Sequence, residues 1–100
     1  MKRLYKASEW QSGSGQWYVN DVQDVTSIAS QWWIPTKILE ITPVEFLDLL
    51  INNFHAQHVH YDLEYDVLIY SFATQAEARK YKNWINKKAR EKQFMIESKK

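Results

Sequence analysis

The residues best placed to do chemistry are cations in the last quarter of the chain. Arg79, Lys80, Asn83, Lys87 and Arg90 stand at i, i+1, i+4, i+8 and i+11, a spacing that lines one side of a helix, and Asn86 falls beside them. Guanidinium and ammonium groups in such a row can follow a phosphate backbone or meet a carboxylate-rich protein surface. The two asparagine amides can add hydrogen bonds. The row belongs to a charge split. Residues 1–73 hold four Lys/Arg against nine Asp/Glu, a net of −5. Residues 74–100 hold nine against three, a net of +6, so the total of +1 conceals an acidic body and a basic C-terminal segment. Arg79, Lys80, Asn83, Asn86, Lys87 and Arg90 are therefore the expected partner-binding residues. A protein with an acidic surface is the first partner expected, and nucleic acid is the alternative.

Other constellations carry less. His58, His60 and Asp62 would share one face of a strand, with His55 before them and Glu64 after. Side chains two residues apart lie about 7 Å apart along a strand, close enough to meet at one metal ion. No distant ligand stands out to complete a site, so the expected role is the polar side of an amphipathic strand and no metal is assigned. Ile28-Ala29, Ile34 and Leu39 mimic the apolar skeleton of a helix-turn-helix. Trp33 sits where a small turn residue is preferred, and Pro43 would truncate the reading helix, 36–42. That helix offers one Lys and one Glu, a poor surface for phosphates and bases. Of the five tryptophans, most are expected in the core and one or two at an interface.

Nucleophilic catalysis has no support. The chain has no cysteine, no GxSxG elbow and no organised Ser/His/Asp spacing. Ser12-Gly13-Ser14-Gly15 lacks the lysine and following helix of a phosphate-binding loop. The acid pairs Asp21/Asp24 and Glu45/Asp48 fall on helix exteriors. The expectation is a non-enzymatic protein without a cofactor.

These residues need elements to position them. The 3–10 stretch reads as a first strand and Trp17-Tyr18-Val19 as a short second one, joined as a hairpin by a flexible loop at 11–16 that holds both glycines. Asn20, with Gln23 three residues on, predicts a helix start; Val22, Val25, Ile28, Ala29, Trp32 and Trp33 follow at helical spacing, and Pro35 should end that helix. Residues 37–41 fit either a short strand or a turn of helix. Thr42-Pro43-Val44-Glu45 combines an N-cap, a proline at the first helical position and a capping-box Glu. The helix it opens reaches about Phe54. Its apolar residues wrap more than half its circumference, so it is either central or shares a face with a partner, a homodimer included.

Residues 58–63 alternate, and 67–72 are apolar on both faces. They predict a second hairpin across 63–66. Thr74-Gln75-Ala76-Glu77 reads as another capping box, opening a helix to about Gln93 with Ala78, Tyr81, Ile85 and Ala89 inward. Phe94-Met95-Ile96 is a candidate last strand and 97–100 a solvated tail. The sum is a single α+β domain over residues 1–100, a small antiparallel sheet packed by two to three helices. From residue 37 onward it can also be drawn as a split β-α-β repeat of the ferredoxin-like kind.

Composition agrees with a folded domain: 45% hydrophobic and 15% aromatic residues exclude the composition of disordered chains. No apolar run follows the basic Met1–Lys6 segment, and the Phe46–Phe54 stretch is broken by Asp48, Asn52 and Asn53. It is far short of the ~20 residues of a membrane span. A cytoplasmic address is expected.

The runs Trp-Trp-Ile-Pro-Thr-Lys-Ile-Leu (32–39), Thr-Pro-Val-Glu-Phe-Leu (42–47) and Tyr-Lys-Asn-Trp-Ile-Asn-Lys-Lys-Ala-Arg-Glu-Lys (81–92) resemble small uncharacterised phage and prophage proteins of low-GC Gram-positive bacteria. The resemblance implies an accessory that binds a host or phage component, such as an inhibitor of a host factor. It transfers no functional residue.

Overall fold

The computed structural model describes residues 2–21, 33–62 and 67–97. Within them the order is β1 (Lys2–Leu4), β2 (Ala7–Gln11), β3 (Trp17–Asp21), α1 (Trp33–Leu39), α2 (Pro43–Asn52), β4 (His58–Asp62), β5 (Val67–Phe72), α3 (Gln75–Glu91) and β6 (Met95–Glu97). Strands β2-β3-β5-β4 form an antiparallel sheet in that order, and β1 pairs with β6 in a separate two-stranded sheet. The fold is α+β, with three helices packed on the sheet and the long α3 lying across it.

The period of two decides which strand residues face the helices. Val19 on β3 and Tyr70 and Phe72 on β5 are fully buried, as is Ala7 on β2. They meet Ile38 of α1, Phe46 and Leu50 of α2, and Ala78, Tyr81, Ile85 and Ala89 of α3. The two alanines let α3 approach the sheet closely. Tyr81 fills the centre, with ring centroids 5.4 Å from Phe54, 5.3 Å from Tyr70 and 6.1 Å from Phe72. Each such edge or offset contact adds about 0.5–1.5 kcal/mol beyond area burial. Trp10 and Tyr18, cross-strand partners on the other face of the β2–β3 hairpin, stack at 4.6 Å.

Helix starts follow the local chemistry. Thr42 caps α2 with the full reciprocal box: Thr42 Oγ1 accepts from the Glu45 amide, and Glu45 Oε1 accepts from the Thr42 amide. At α3 the Thr74 half forms, its hydroxyl accepting from the Glu77 amide. The Glu77 half of the expected box does not form at Oε1, which is buried without a hydrogen-bond partner.

Helix ends are less usual. Glu40, His55 and Gln93, which follow α1, α2 and α3, all have positive φ (58°, 62° and 51°). Glycine normally takes this place. The chain's two glycines are both in the β2–β3 turn, so larger residues carry the left-handed conformation. After α1 and α3 the closing bonds are those of a Schellman motif: Ile41 N–H to Thr36 O at 3.1 Å, and Phe94 N–H to Ala89 O at 2.9 Å.

Several expectations are corrected. Asn20 does not cap a helix; it and Asp21 belong to β3, where Asn20 pairs with Ser8 and Ile69. The body of that expected helix, 22–32, lies outside the described residues. Pro35 does not end a helix but sits in the first turn of α1. The first four amides of a helix have no intrahelical partner, so a missing N–H there costs nothing. The expected first strand is broken at Tyr5 and Lys6 into β1 and β2. Residues 37–39 are helical, and the expected last strand forms as β6 but pairs with β1 outside the four-stranded sheet, so the ferredoxin-like drawing from residue 37 does not hold. The glycine loop is shorter than expected, since Gln11 ends β2, and Ser12 N–H to Gln16 O at 2.9 Å closes it. Glu97 belongs to β6 rather than a tail; residues 98–100 lie outside the described residues.

Candidate functional site

Helix α3 has four sides, and each has a different task. Ala78, Tyr81, Ile85 and Ala89 point into the core. Trp84 and Lys88 turn toward α1 and α2. Lys82 and Asn86 turn toward β2, with Arg79 at that margin. The outer stripe is Lys80, Asn83, Lys87 and Arg90, all exposed. From Lys80 to Arg90 it runs about 15 Å along the axis, at 1.5 Å per residue.

The β2 flank is a built contact. β2 is an edge strand of the sheet. Asn86 Oδ1 accepts the Ala7 N–H at 2.8 Å, and Asn86 Nδ2 donates to Ala7 O at 3.1 Å. The asparagine thus makes the two bonds a neighbouring strand would make. Two residues on, Glu9 collects three donors: Lys82 Nζ at 3.0 Å, Arg79 Nε at 3.1 Å and Gln75 Nε2 at 3.3 Å. Burial pushes the Glu9 carboxyl up, but the bonds from Lys82, Arg79 and Gln75 outweigh it and hold the group below its ordinary value. A groove of about 340 Å³ runs between Lys6–Glu9 and the flank of α3 that carries Lys82, Asn86 and Arg90.

The structure therefore divides the six expected partner-binding residues. Lys80, Asn83, Lys87 and Arg90 share the exposed stripe. Arg79 is exposed but tied to Glu9. Asn86 faces β2 with both amide atoms occupied, which corrects its expected place on the outer face. Sequence reasoning missed Lys82 and Glu9, and no local signal reveals them because their partners are about seventy residues apart in the chain.

Compensation follows the same division. Arg79 and Lys82 have Glu9, and Lys88 has Glu91 at 3.9 Å, whereas Arg90, which borders the β2 groove from the exposed side, has no such partner among the described residues. Lys92, just past the helix, has Glu40 at 2.9 Å, and that hydrogen bond holds Glu40 below its ordinary value. Among the described residues, Lys80, Lys87 and Arg90 have no carboxylate within 4.0 Å.

The remaining candidates contribute no site. His58 lies on β4, exposed; the side chains of His60 and Asp62 are outside the described residues, as is Glu64 altogether. Among the described residues no group of three metal-ligating side chains comes together. The expected reading helix, 36–42, spans the end of α1 and its following turn, with Thr36 and Ile38 buried rather than aimed outward. Trp17 and Trp84 pack at the core margin, and Trp10 is 41% exposed. On α2, Val44 and Ile51 are exposed, so the broad apolar girdle is not all core. Among the described residues no helix is long and apolar enough to cross a membrane.

Compared with protein-family models, curated proteins and solved structures, the chain matches none.

Proposed function

We propose that this protein is a non-enzymatic binding module that docks an acidic surface of a protein partner against the outer stripe of α3. The observation that carries the reading is the compensation pattern. Glu9 of the body pairs with Arg79 and Lys82 and Glu40 with Lys92, while among the described residues Lys80, Lys87 and Arg90 have no carboxylate within 4.0 Å. Three uncompensated cations on one helical line raise the association rate with an acidic surface and repel a basic one. An accessory or inhibitor acting on a host protein would work in this way.

A protein is favoured over nucleic acid by the charge split of the chain. Residues 1–73 carry a net charge of −5. That acidic body opposes a long polyanion extending past the stripe more than it opposes a local acidic patch confined to it, and the amide of Asn86 is already engaged with Ala7.

The test is affinity capture from bacterial lysate, with and without nuclease, by the wild type and by Lys80→Glu/Lys87→Glu/Arg90→Glu. All three positions are exposed, so the triple variant should fold. The expected result is a stoichiometric protein companion that survives nuclease and is lost with the variant. A companion held equally by the variant overturns the reading. Partners that vanish with nuclease, with generic duplex bound at a log–log salt slope of about −3 for three phosphates, move it to nucleic acid.

A further inference from the structure

Beside the outer stripe, on the flank of α3 away from β2, lies a second groove. Leu39, Ile41, Leu49 and Trp84 form an apolar floor, and Lys88 and Lys92 stand at its rim, around a volume of about 300 Å³. Trp84 is held from behind by Phe54, at 4.9 Å between ring centroids, and by Tyr81 at 6.4 Å. Lys88 Nζ lies 5.9 Å from the Trp84 ring centre. The wall is thus a fixed aromatic surface rather than a mobile side chain.

We propose that this groove takes one large apolar side chain of the protein partner, flanked by carboxylates that meet Lys88 and Lys92. The inference rests on the reading of the α3 stripe given above and adds the anchor to it. Three observations lead to this occupant. The volume is at the lower bound of pockets that enclose small molecules, about 300–1,000 Å³, which suits an inserted side chain better than a whole ligand or a long acyl chain. The rim is complementary to acids. The chain's own carboxylates already sit on both cations, Glu40 on Lys92 at 2.9 Å and Glu91 on Lys88 at 3.9 Å, and both carboxylate side chains are exposed. An exposed pair of this kind is weak and screened by solvent, so a partner's carboxylate can replace it at little cost. Finally, the groove is continuous with the stripe: Trp84 is four residues from Lys80 and three from Lys87, and Lys88 is adjacent to Lys87. The stripe then governs encounter, and the groove governs residence, the usual division between rim charges and a central anchor.

The test is selection of a random displayed peptide library on the wild-type protein, followed by titration of an enriched peptide into isotope-labelled protein. Enriched peptides should pair a Leu, Met, Phe or Trp with Asp or Glu within one turn of it. They should shift the amide signals of Leu39, Ile41 and Leu49 and the indole N–H of Trp84. Replacing the peptide's apolar residue by Ala should weaken binding at least about tenfold, the size of a modest interface anchor. The protein itself is unaltered in that comparison, so folding is not in question. Acidic peptides without an apolar residue, with shifts confined to Lys80, Lys87 and Arg90, overturn the groove and leave the α3 reading standing. Enrichment of peptides lacking carboxylates, or of none, overturns both.

Discussion

Asn86→Ala tests whether the asparagine is a structural clip rather than part of the binding face. The substitution removes both bonds to Ala7, at 2.8 and 3.1 Å. A hydrogen bond contributes about 1 kcal/mol net, and a buried group left unpaired costs about 1–3 kcal/mol. Removal of the Asn86 amide uncovers Ala7 toward the adjoining groove, where water can replace it, so the lower end applies, about 2 kcal/mol for the pair. Alanine returns roughly 0.5 kcal/mol through its better helix propensity. The expected net loss is about 1.5 kcal/mol, a fall in Tm of roughly 6–12 °C for a domain of this size. Urea unfolding followed by tryptophan fluorescence gives the free energy. Hydrogen exchange at the Ala7 amide gives the local effect, since that amide should lose its protection. Lys87→Ala, the next position on the same helix, is the control and should change stability by less than about 0.5 kcal/mol. An Asn86→Ala protein as stable as Lys87→Ala, with Ala7 protection unchanged, would refute the clip.

Two further outcomes follow from the geometry. Gln93→Gly should stabilise the protein by about 0.5–1 kcal/mol, because relief of a left-handed backbone worth roughly 1–2 kcal/mol exceeds the added freedom of the unfolded chain; thermal melting should show a rise of a few degrees that Gln93→Ala does not reproduce, and equal melting of the two would remove the strain argument. Glu9 has a folded value held below its ordinary 4.5, so its stabilising effect is complete above that pH and is lost as pH falls through the lowered value. As pH falls below 4.5 the wild type should therefore lose stability more steeply than Glu9→Gln, and parallel Tm-against-pH curves for the two would show that the cluster of donors around Glu9 does not act through charge.

Where the controlling interaction is local, the sequence discloses the element. Thr42, Pro43 and Glu45 lie within four residues, and the cap they predict forms in full. The alternation at 58–63 and the apolar run at 67–72 predict the two strands that pair as β4 and β5. Pro35 is ambiguous for a physical reason: the same missing N–H that stops a helix is harmless in a first turn, and only the chain before it decides which applies. β1 and β6 are three residues each, too short for a period, and each becomes a strand only because the other lies opposite. The candidate site divides in the same way. The stripe of Lys80, Asn83, Lys87 and Arg90 follows from helical spacing alone. The removal of Asn86 and Arg79 from it depends on Ala7 and Glu9, across 79 and 70 residues of chain.

The pairing of β1 with β6 has a consequence for connectivity. Lys2 stands opposite Glu97, and Tyr5 N–H reaches Phe94 O at 3.0 Å. Antiparallel partners lie about 4.5–5.5 Å apart at Cα, so the two ends of the described chain are neighbours. A short linker can therefore join them, and the chain can be reopened in the hairpin at Gly13, around which a side chain would meet nothing within 4 Å. In such a permutant the β1–β6 ladder becomes a local hairpin, while the β2–β3 ladder becomes the one that must find its partner across the whole chain. The order in which the two sheets assemble should then exchange, because loop closure is entropically cheaper for whichever pair is nearer in sequence.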